Sequence, residues 1–133
     1  MSKIVHASGK RKHAVARATL RHGTGVVRIN RMLLDSYAPS LGRMKIMEPL
    51  QLAGEISKTV DISVNVFGGG WQAQSEAARL AIAKSLVEFT KNKDLRNTFL
   101  SYDKHLLIAD VRRNEAHKPN DSKPRAKRQK SYR

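Results

Sequence analysis

Two clusters of lysine and arginine side chains bracket the middle of this chain, and phosphate binding is the chemistry that they could perform. The first cluster consists of Lys10, Arg11, Lys12 and the alternating residues Arg17, Arg21 and Arg28. The second is the C-terminal stretch 123–133, which has six basic residues and no acidic one. Ammonium and guanidinium groups bind phosphates and release condensed counterions. The pattern favours a folded nucleic acid as the partner; the alternative is a solvated charge run that only keeps the protein soluble.

The C-terminal stretch is too polar to fold by itself. Ala126 and Tyr132 are the apolar side chains that it offers, and their area is too small to offset the entropy of ordering the segment. We therefore expect a globular domain in residues 1–110 and an extended basic tail in residues 111–133, which threads into a gap of a folded RNA. The last two residues could stack on a base and bind a phosphate, or could simply be disordered.

The overall composition narrows the class of protein. A net charge of +15 over 133 residues attracts polyanions. The chain has no cysteine, and its histidines show no metal-ligand spacing, so we expect no metal and no cofactor. Its scattered carboxylates form no catalytic dyad, which favours a protein that is not an enzyme. The start has no signal-peptide segment and no apolar run could span a bilayer, so we expect a cytosolic protein without membrane contact.

The spacing of apolar residues predicts an α+β fold, with a small β-sheet packed by helices. Ala16, Ala18 and Leu20 alternate with outward polar residues, which predicts the first arm of a hairpin, with a turn at 22–25 and a second arm at 26–30. A further strand is predicted at 61–67 and a short last one at 106–108. The predicted helices cover 33–37, 43–54, 71–92 and 94–101, and Pro49 is expected to shorten or kink the second.

The three glycines Gly68–Gly70 lie between the best strand and the longest helix. They predict a tight turn with positive φ angles, at which the backbone could approach an RNA phosphate. An enzyme that binds a nucleotide at this turn is a further alternative. It would need the Gly-Lys-Ser/Thr ending of a P-loop, and the sequence offers only Ser75 and Glu76 nearby.

Three motifs carry a resemblance to a known family. The segment 67–89, FGGGWQAQSEAARLAIAKSLVEF, resembles the signature of the small-subunit ribosomal protein S9 family. The matching residues are Gly68, Gly69, Gly70, Gln72, Ala73, Ala78, Arg79, Ala81, Ile82, Ala83, Lys84 and Leu86. The segments 8–20 and 110–118 resemble two further family motifs, and the ending QKSYR is similar to that of the archaeal and eukaryotic branch. In place of that branch's glycine-rich linker stands the segment 120–124, which we expect to stiffen the base of the tail.

The resemblance implies a structural protein of the small ribosomal subunit in the cytoplasm, with a domain like the second domain of ribosomal protein S5. It implies that this domain binds rRNA and neighbouring proteins in the subunit head, and that the tail reaches tRNA in the peptidyl site. The expected rRNA contacts are Lys10, Arg11, Lys12, Arg17, Gly68, Gly69, Gly70, Arg112, Arg113, Lys118, Arg125, Lys127 and Arg128. The expected tRNA contacts are Lys130, Ser131, Tyr132 and Arg133. The alternative function is that of a free-standing basic nucleic-acid-binding protein.

Overall fold

The computed structural model describes residues 2–132 and contains one β-sheet with three α-helices. The strands are β1 (Ile4–Arg11), β2 (Ala14–His22), β3 (Val27–Ile29), β4 (Met32–Leu33) and β5 (Val60–Phe67). The helices are α1 (Ser40–Ala53), α2 (Trp71–Thr90) and α3 (Lys93–Tyr102). The strand order is β1-β2-β5-β3-β4, and the pairs are antiparallel except for the parallel pair of β3 and β5. The predicted α+β class is confirmed.

The hairpin lies earlier in the chain than the sequence predicts. β2 pairs with β1 through a turn at Lys12–His13, and β5 lies between β2 and β3. The predicted pairing of residues 15–21 with 26–30 is therefore wrong. The turn at 22–25 instead carries the chain past β5, where the carboxylate of Asp61 accepts hydrogen bonds from the amides of Thr24 and Val26. β1 contains many polar residues, so its period of two is not recognisable from the apolar residues.

The sheet buries one face under the helices. Along β2 and β5 the inward residues are those that the alternation predicted, and they are fully or almost fully buried. Helix α2 lies against β1, β2 and β5, and its buried side is rich in alanine. Small side chains let the helix axis come close to the sheet. The outward residues of the same strands form the other face of the sheet, which is mostly exposed.

Two further predictions need correction. Helix α1 runs through Pro49 to Ala53, so the proline does not shorten the helix, and Pro49 itself is buried. A kink at Pro49 stays a prediction. Residues 106–108 form no strand; a 3-10 turn covers Lys104–Leu106 instead. The carboxylate of Asp103 accepts the amide hydrogen of His105 and so starts a helical turn. A three-residue apolar run cannot distinguish a strand from a turn that buries one leucine.

Residues 107–132 form no helix and no strand, and from Val111 onward most of them are exposed. Two backbone hydrogen bonds make turns in the segment before the last basic residues, from Asp121 to Lys118 and from Ala126 to Lys123. The division into a domain and a tail at residue 110 stays a prediction. Within residues 2–132, no helix is long and apolar enough to cross a membrane.

Candidate nucleic-acid interface

Three segments that are distant in the sequence meet at one end of the sheet. The β1–β2 turn lies beside Gly68, where a Cβ atom would come within 2.5 Å of the carbonyl oxygen of His13. Nη1 of Arg113 donates a hydrogen bond of 2.6 Å to the carbonyl oxygen of Lys12. The start of the tail, at Arg113, therefore contacts the first basic cluster. We call this surface the basic end; it comprises Lys10, Lys12, Arg112, Arg113 and the glycine turn Gly68–Gly70.

The glycine turn has the conformation that the sequence predicts. Gly68 and Gly69 have φ angles of 77° and 65°, in the region that favours glycine. Gly70 is the N-cap of α2, and the side chain of Gln74 donates to the carbonyl oxygen of Gly68. All three glycines are exposed. Their backbone is thus open to a partner at the basic end.

Arg11 differs from its two neighbours because its side chain is already paired. Nε of Arg11 lies 2.7 Å from a carboxylate oxygen of Glu76, and Nη1 lies 3.4 Å from Asp110. Lys45 binds the other oxygen of Glu76 at 3.0 Å. The Arg11 side chain is only 13% exposed, whereas Lys10 and Lys12 are exposed. Arg11 therefore ties the start of the tail to the domain, and its contact with rRNA stays a prediction.

A second arginine forms a further group of ion pairs beside the first. Arg79 on α2 pairs with Glu48 on α1 and, at 3.1 Å, with Asp103 after α3. In the first group, Arg112 makes a bidentate pair with Asp110. We call the two groups together the ion-pair cluster; its members are Arg11, Lys45, Glu48, Glu76, Arg79, Asp103, Asp110 and Arg112. It joins β1, α1, α2 and the first residues of the tail.

Three carboxylates of the cluster, those of Glu76, Asp103 and Asp110, have lowered pKa values. Burial alone would raise the pKa of Glu76, but hydrogen bonds from Lys45 and Arg11 outweigh it and hold the pKa below its usual value. Burial alone would also raise the pKa of Asp103, but hydrogen bonds from the amide of His105 and from the side chain of Arg79 lower it below its usual value. Hydrogen bonds from the side chain and backbone of Arg112 lower the pKa of Asp110. All three groups therefore favour their charged form in the folded chain.

We expect the folded chain to lose stability in acid because of this cluster. As the pH falls, these carboxyls take up protons in the unfolded chain before they do so in the folded chain, because their folded pKa values are lower. Their contribution to the free energy of unfolding is therefore complete above about pH 5. It is lost as the pH falls through the folded pKa values. Denaturant titrations at several pH values should show a free energy of unfolding that falls with pH. Glu76→Gln should be less stable at neutral pH and should depend less on pH. A free energy of unfolding that stays constant or increases as the pH is lowered from about 6 to about 3 would contradict the role of the cluster.

Arg17 is exposed on β2, and the other predicted contact residues lie along the tail. Lys118, Lys127 and Arg128 are exposed. Arg125 is also exposed, and it pairs with Glu115 through a 2.6 Å contact that lowers the pKa of the glutamate. Lys130, Ser131 and Tyr132 are exposed, and the tyrosine ring is 89% accessible. Arg133 lies outside the described residues. The structure thus leaves the tail contacts accessible without bringing them together.

Sequence reasoning missed two aromatic residues that flank the glycine turn. Phe67, at the end of β5, is 52% exposed, and Trp71, at the start of α2, is 45% exposed. The guanidinium carbon of Arg17 lies 5.6 Å from the centroid of the Phe67 ring. The period of two in β5 already places Phe67 outward, because Val64 and Val66 point inward. Because few residues of the chain are aromatic, the sequence alone did not single out Phe67 as a binding residue.

The residues near the glycine turn do not form a nucleotide site. Ser75 is fully buried, and its hydroxyl donates to the carbonyl oxygen of Trp71. Glu76 is held by Arg11 and Lys45. Both of the groups that the nucleotide alternative would need are thus engaged within the domain. No group of three or more His, Asp or Glu side chains in residues 2–132 is arranged to hold a metal ion.

Comparison with known proteins agrees with the motifs. The family model described as ribosomal protein S9/S16 matches residues 9–133. The small ribosomal subunit protein uS9 of Methanococcus maripaludis is 51% identical over 133 residues, which cover 98% of this chain and 99% of that protein. The uS9 protein of Methanococcus vannielii has the same identity and coverage. The similarity to archaeal proteins agrees with the branch that the ending QKSYR suggested. The chain therefore belongs to the S9/S16 family of small-subunit ribosomal proteins.

Proposed function

We propose that the domain binds rRNA in the head of the small subunit through the basic end, and that the tail contacts tRNA in the peptidyl site. The observation that carries this proposal is the contact between Arg113 and the carbonyl oxygen of Lys12, which brings cations from the β1–β2 turn and from the start of the tail onto one surface. Membership of a small-subunit family makes rRNA and neighbouring ribosomal proteins the partners, and it decides against a free-standing nucleic-acid-binding protein. We also infer the fold of the second domain of ribosomal protein S5, supported by a sheet with helices on one face.

The basic end has the properties of a phosphate-binding surface. Lys10, Lys12, Arg112 and Arg113 are exposed, and Asp110 is the acid that the basic end contacts directly. The rigid glycine turn lies among them, so backbone amides and side-chain cations can approach the same stretch of RNA backbone. The ion-pair cluster fixes these segments relative to one another. Such a preformed surface binds without the entropy loss of ordering a loop.

Removing two cations from the basic end is expected to weaken rRNA binding and its salt dependence. In the double variant Lys12→Gln/Arg113→Gln, the slope of log K against log salt should fall by roughly 1.5, since each phosphate contact contributes about 0.7 to 0.9. The measurement is a filter-binding titration against a transcript of the small-subunit head rRNA at several salt concentrations. The matched control, Lys58→Gln/Lys91→Gln, removes the same charge at the opposite end of β5 and α2. Equal losses in both variants would mean that the charge acts without a defined site.

The tail has the reach and the composition for a second, separate contact. Residues 114–132 contain no helix or strand, and an extended chain of that length spans up to about 60 Å. Lys130 supplies a cation near the end, with Ser131 and the exposed ring of Tyr132 beside it. A segment of this kind can enter a gap between RNA elements that is too narrow for a folded domain. The proposal therefore assigns rRNA binding to the domain and tRNA contact to the tail.

A further inference from the structure

The face of the sheet that turns away from the helices is open. Its outward residues include Lys10 on β1, Arg17 and Arg21 on β2, Ser63, Asn65 and Phe67 on β5, and Arg28 on β3, and these seven are exposed. Val15, Thr19 and Asp61 on the same face are half-buried. We call this surface the open face. From β1 to β3 it spans four strands, which is about 14 Å at the usual strand spacing. The area is wide enough for a few nucleotides.

The charge of the open face fits a phosphate backbone. Lys10, Arg17, Arg21 and Arg28 supply its cations. The acid among the outward positions of the described strands is Asp61, at the start of β5 and opposite Arg21. Its carboxylate faces the 24–26 turn, where it accepts amide hydrogens at 2.9 Å and 3.0 Å. The remaining field is positive and points away from the helices.

The aromatic ring on this face points to bases as well as phosphates. Phe67 exposes half of its surface on a central strand, and the guanidinium of Arg17 lies over its ring. Phenyl rings and guanidinium planes are the groups on which unpaired bases stack. Asn65 is the cross-strand partner of Arg17, and its amide can both donate to and accept from a base edge. A duplex would use the cations but would keep its bases away from the ring.

We propose that the open face binds an unpaired stretch of rRNA, with one base stacked on the pair of Arg17 and Phe67. Arg28 and Arg21 lie towards the start of β5 and bind phosphates farther along the RNA, and Asn65 contacts the edge of the stacked base. The inference rests on the proposed function, because it takes RNA as the partner. It adds a second RNA-binding surface next to the basic end, with a preference for single strands that the basic end does not require.

The test compares single-stranded and duplex RNA as ligands of the full chain. The probes are a mixed-sequence single strand of about 12 nucleotides, within the usual site size for one domain, and a duplex of the same length. Phe67→Ala should bind the single strand about tenfold more weakly, in line with the loss of one stacked base, and should bind the duplex as before. Phe67→Tyr should restore binding. The control is Tyr102→Ala, which removes an exposed ring from α3.

The outcomes separate this inference from the proposed function. If Phe67→Ala binds both probes as tightly as the unchanged chain does, or loses the same affinity for both, the proposed stacking site is contradicted. If that occurs while Lys12→Gln/Arg113→Gln still weakens binding, the proposed function stands and only the inference fails. If the unchanged chain binds neither RNA, the proposed function fails first. Circular dichroism of each variant shows whether the fold is retained, and the exposed position of Phe67 predicts that it is.

Discussion

A chain that ends at Arg128 is expected to assemble into small subunits in normal yield, and those subunits are expected to bind tRNA in the peptidyl site about tenfold more weakly. The deletion removes Lys130 and Arg133, together with the exposed ring of Tyr132. A hydrogen bond between charged groups contributes about 1.5 to 3 kcal/mol, and loss of one such contact changes the affinity by at least tenfold. The basic end lies elsewhere, so rRNA binding keeps its contacts.

The matched control removes the same charge without shortening the tail. Lys58→Gln/Lys91→Gln neutralises two exposed cations outside the tail, and subunits with this variant should bind tRNA nearly as the unchanged subunits do. Both sets of subunits are purified on sucrose gradients, and tRNA binding is measured on a filter with a defined message. A shortened chain that fails to enter subunits would contradict the separation of roles. Equal tRNA binding by shortened and unchanged subunits would remove the tail from the peptidyl site.

Replacing Gly9 with alanine is expected to destabilise the domain by about 3 kcal/mol, because overpacking against backbone cannot relax through a side-chain rotation. Gly9 is buried where β1 crosses α2. A Cβ atom there would collide with the carbonyl oxygen of Ala77 and would lie 2.8 Å from the amide nitrogen of Ala81. Either the strand or the helix must move. The structure thus gives a physical reason for the glycine in the 8–20 motif.

Gly70→Ala is the matched control for Gly9→Ala. Its Cβ atom would meet nothing within 4 Å, and its φ angle of −94° suits any residue. Alanine at an N-cap is less favourable than glycine, so we expect a change of well under 1 kcal/mol. Thermal unfolding should place Gly9→Ala about 10 °C below the unchanged chain and Gly70→Ala within a few degrees of it. Similar melting temperatures for all three proteins would show that β1 and α2 have room to separate.

The sequence predicts the elements whose periodicity is long and regular. β5 and α2 lie within about two residues of their predicted bounds, and the inward positions of β2 are those that alternate with its arginines. β1 was missed because its outward residues include serine, histidine and lysine, so no clear apolar series marks it. The pairing of β3 with β5 also escaped prediction. The local pattern predicts that a strand exists. Which strand pairs with it in the sheet depends on contacts with residues more than thirty positions away.

The candidate site shows the same limit. The basic clusters and the glycine turn are visible in the sequence, since charge and glycine content need no partner to be recognised. The meeting of the first basic cluster with the start of the tail depends on the hydrogen bond from Arg113 to Lys12, across 101 positions. The internal pairing of Arg11 could not be foreseen either, because Glu76 and Asp110 reach it only in the folded chain. Sequence reasoning therefore found the basic residues, but only the fold shows that one of them, Arg11, also joins parts of the domain. The contact of Arg11 with rRNA stays a prediction.

The most direct measurement of the central claim is a photocrosslink from the end of the tail. A benzophenone amino acid is placed at Tyr132, which is exposed, and the chain is assembled into small subunits that hold tRNA in the peptidyl site. The same probe at Tyr102 on α3 is the control. We expect a crosslink from position 132 to the tRNA anticodon stem-loop and no crosslink from position 102 to tRNA. Crosslinks from position 132 to rRNA or protein alone, with tRNA bound, would contradict it.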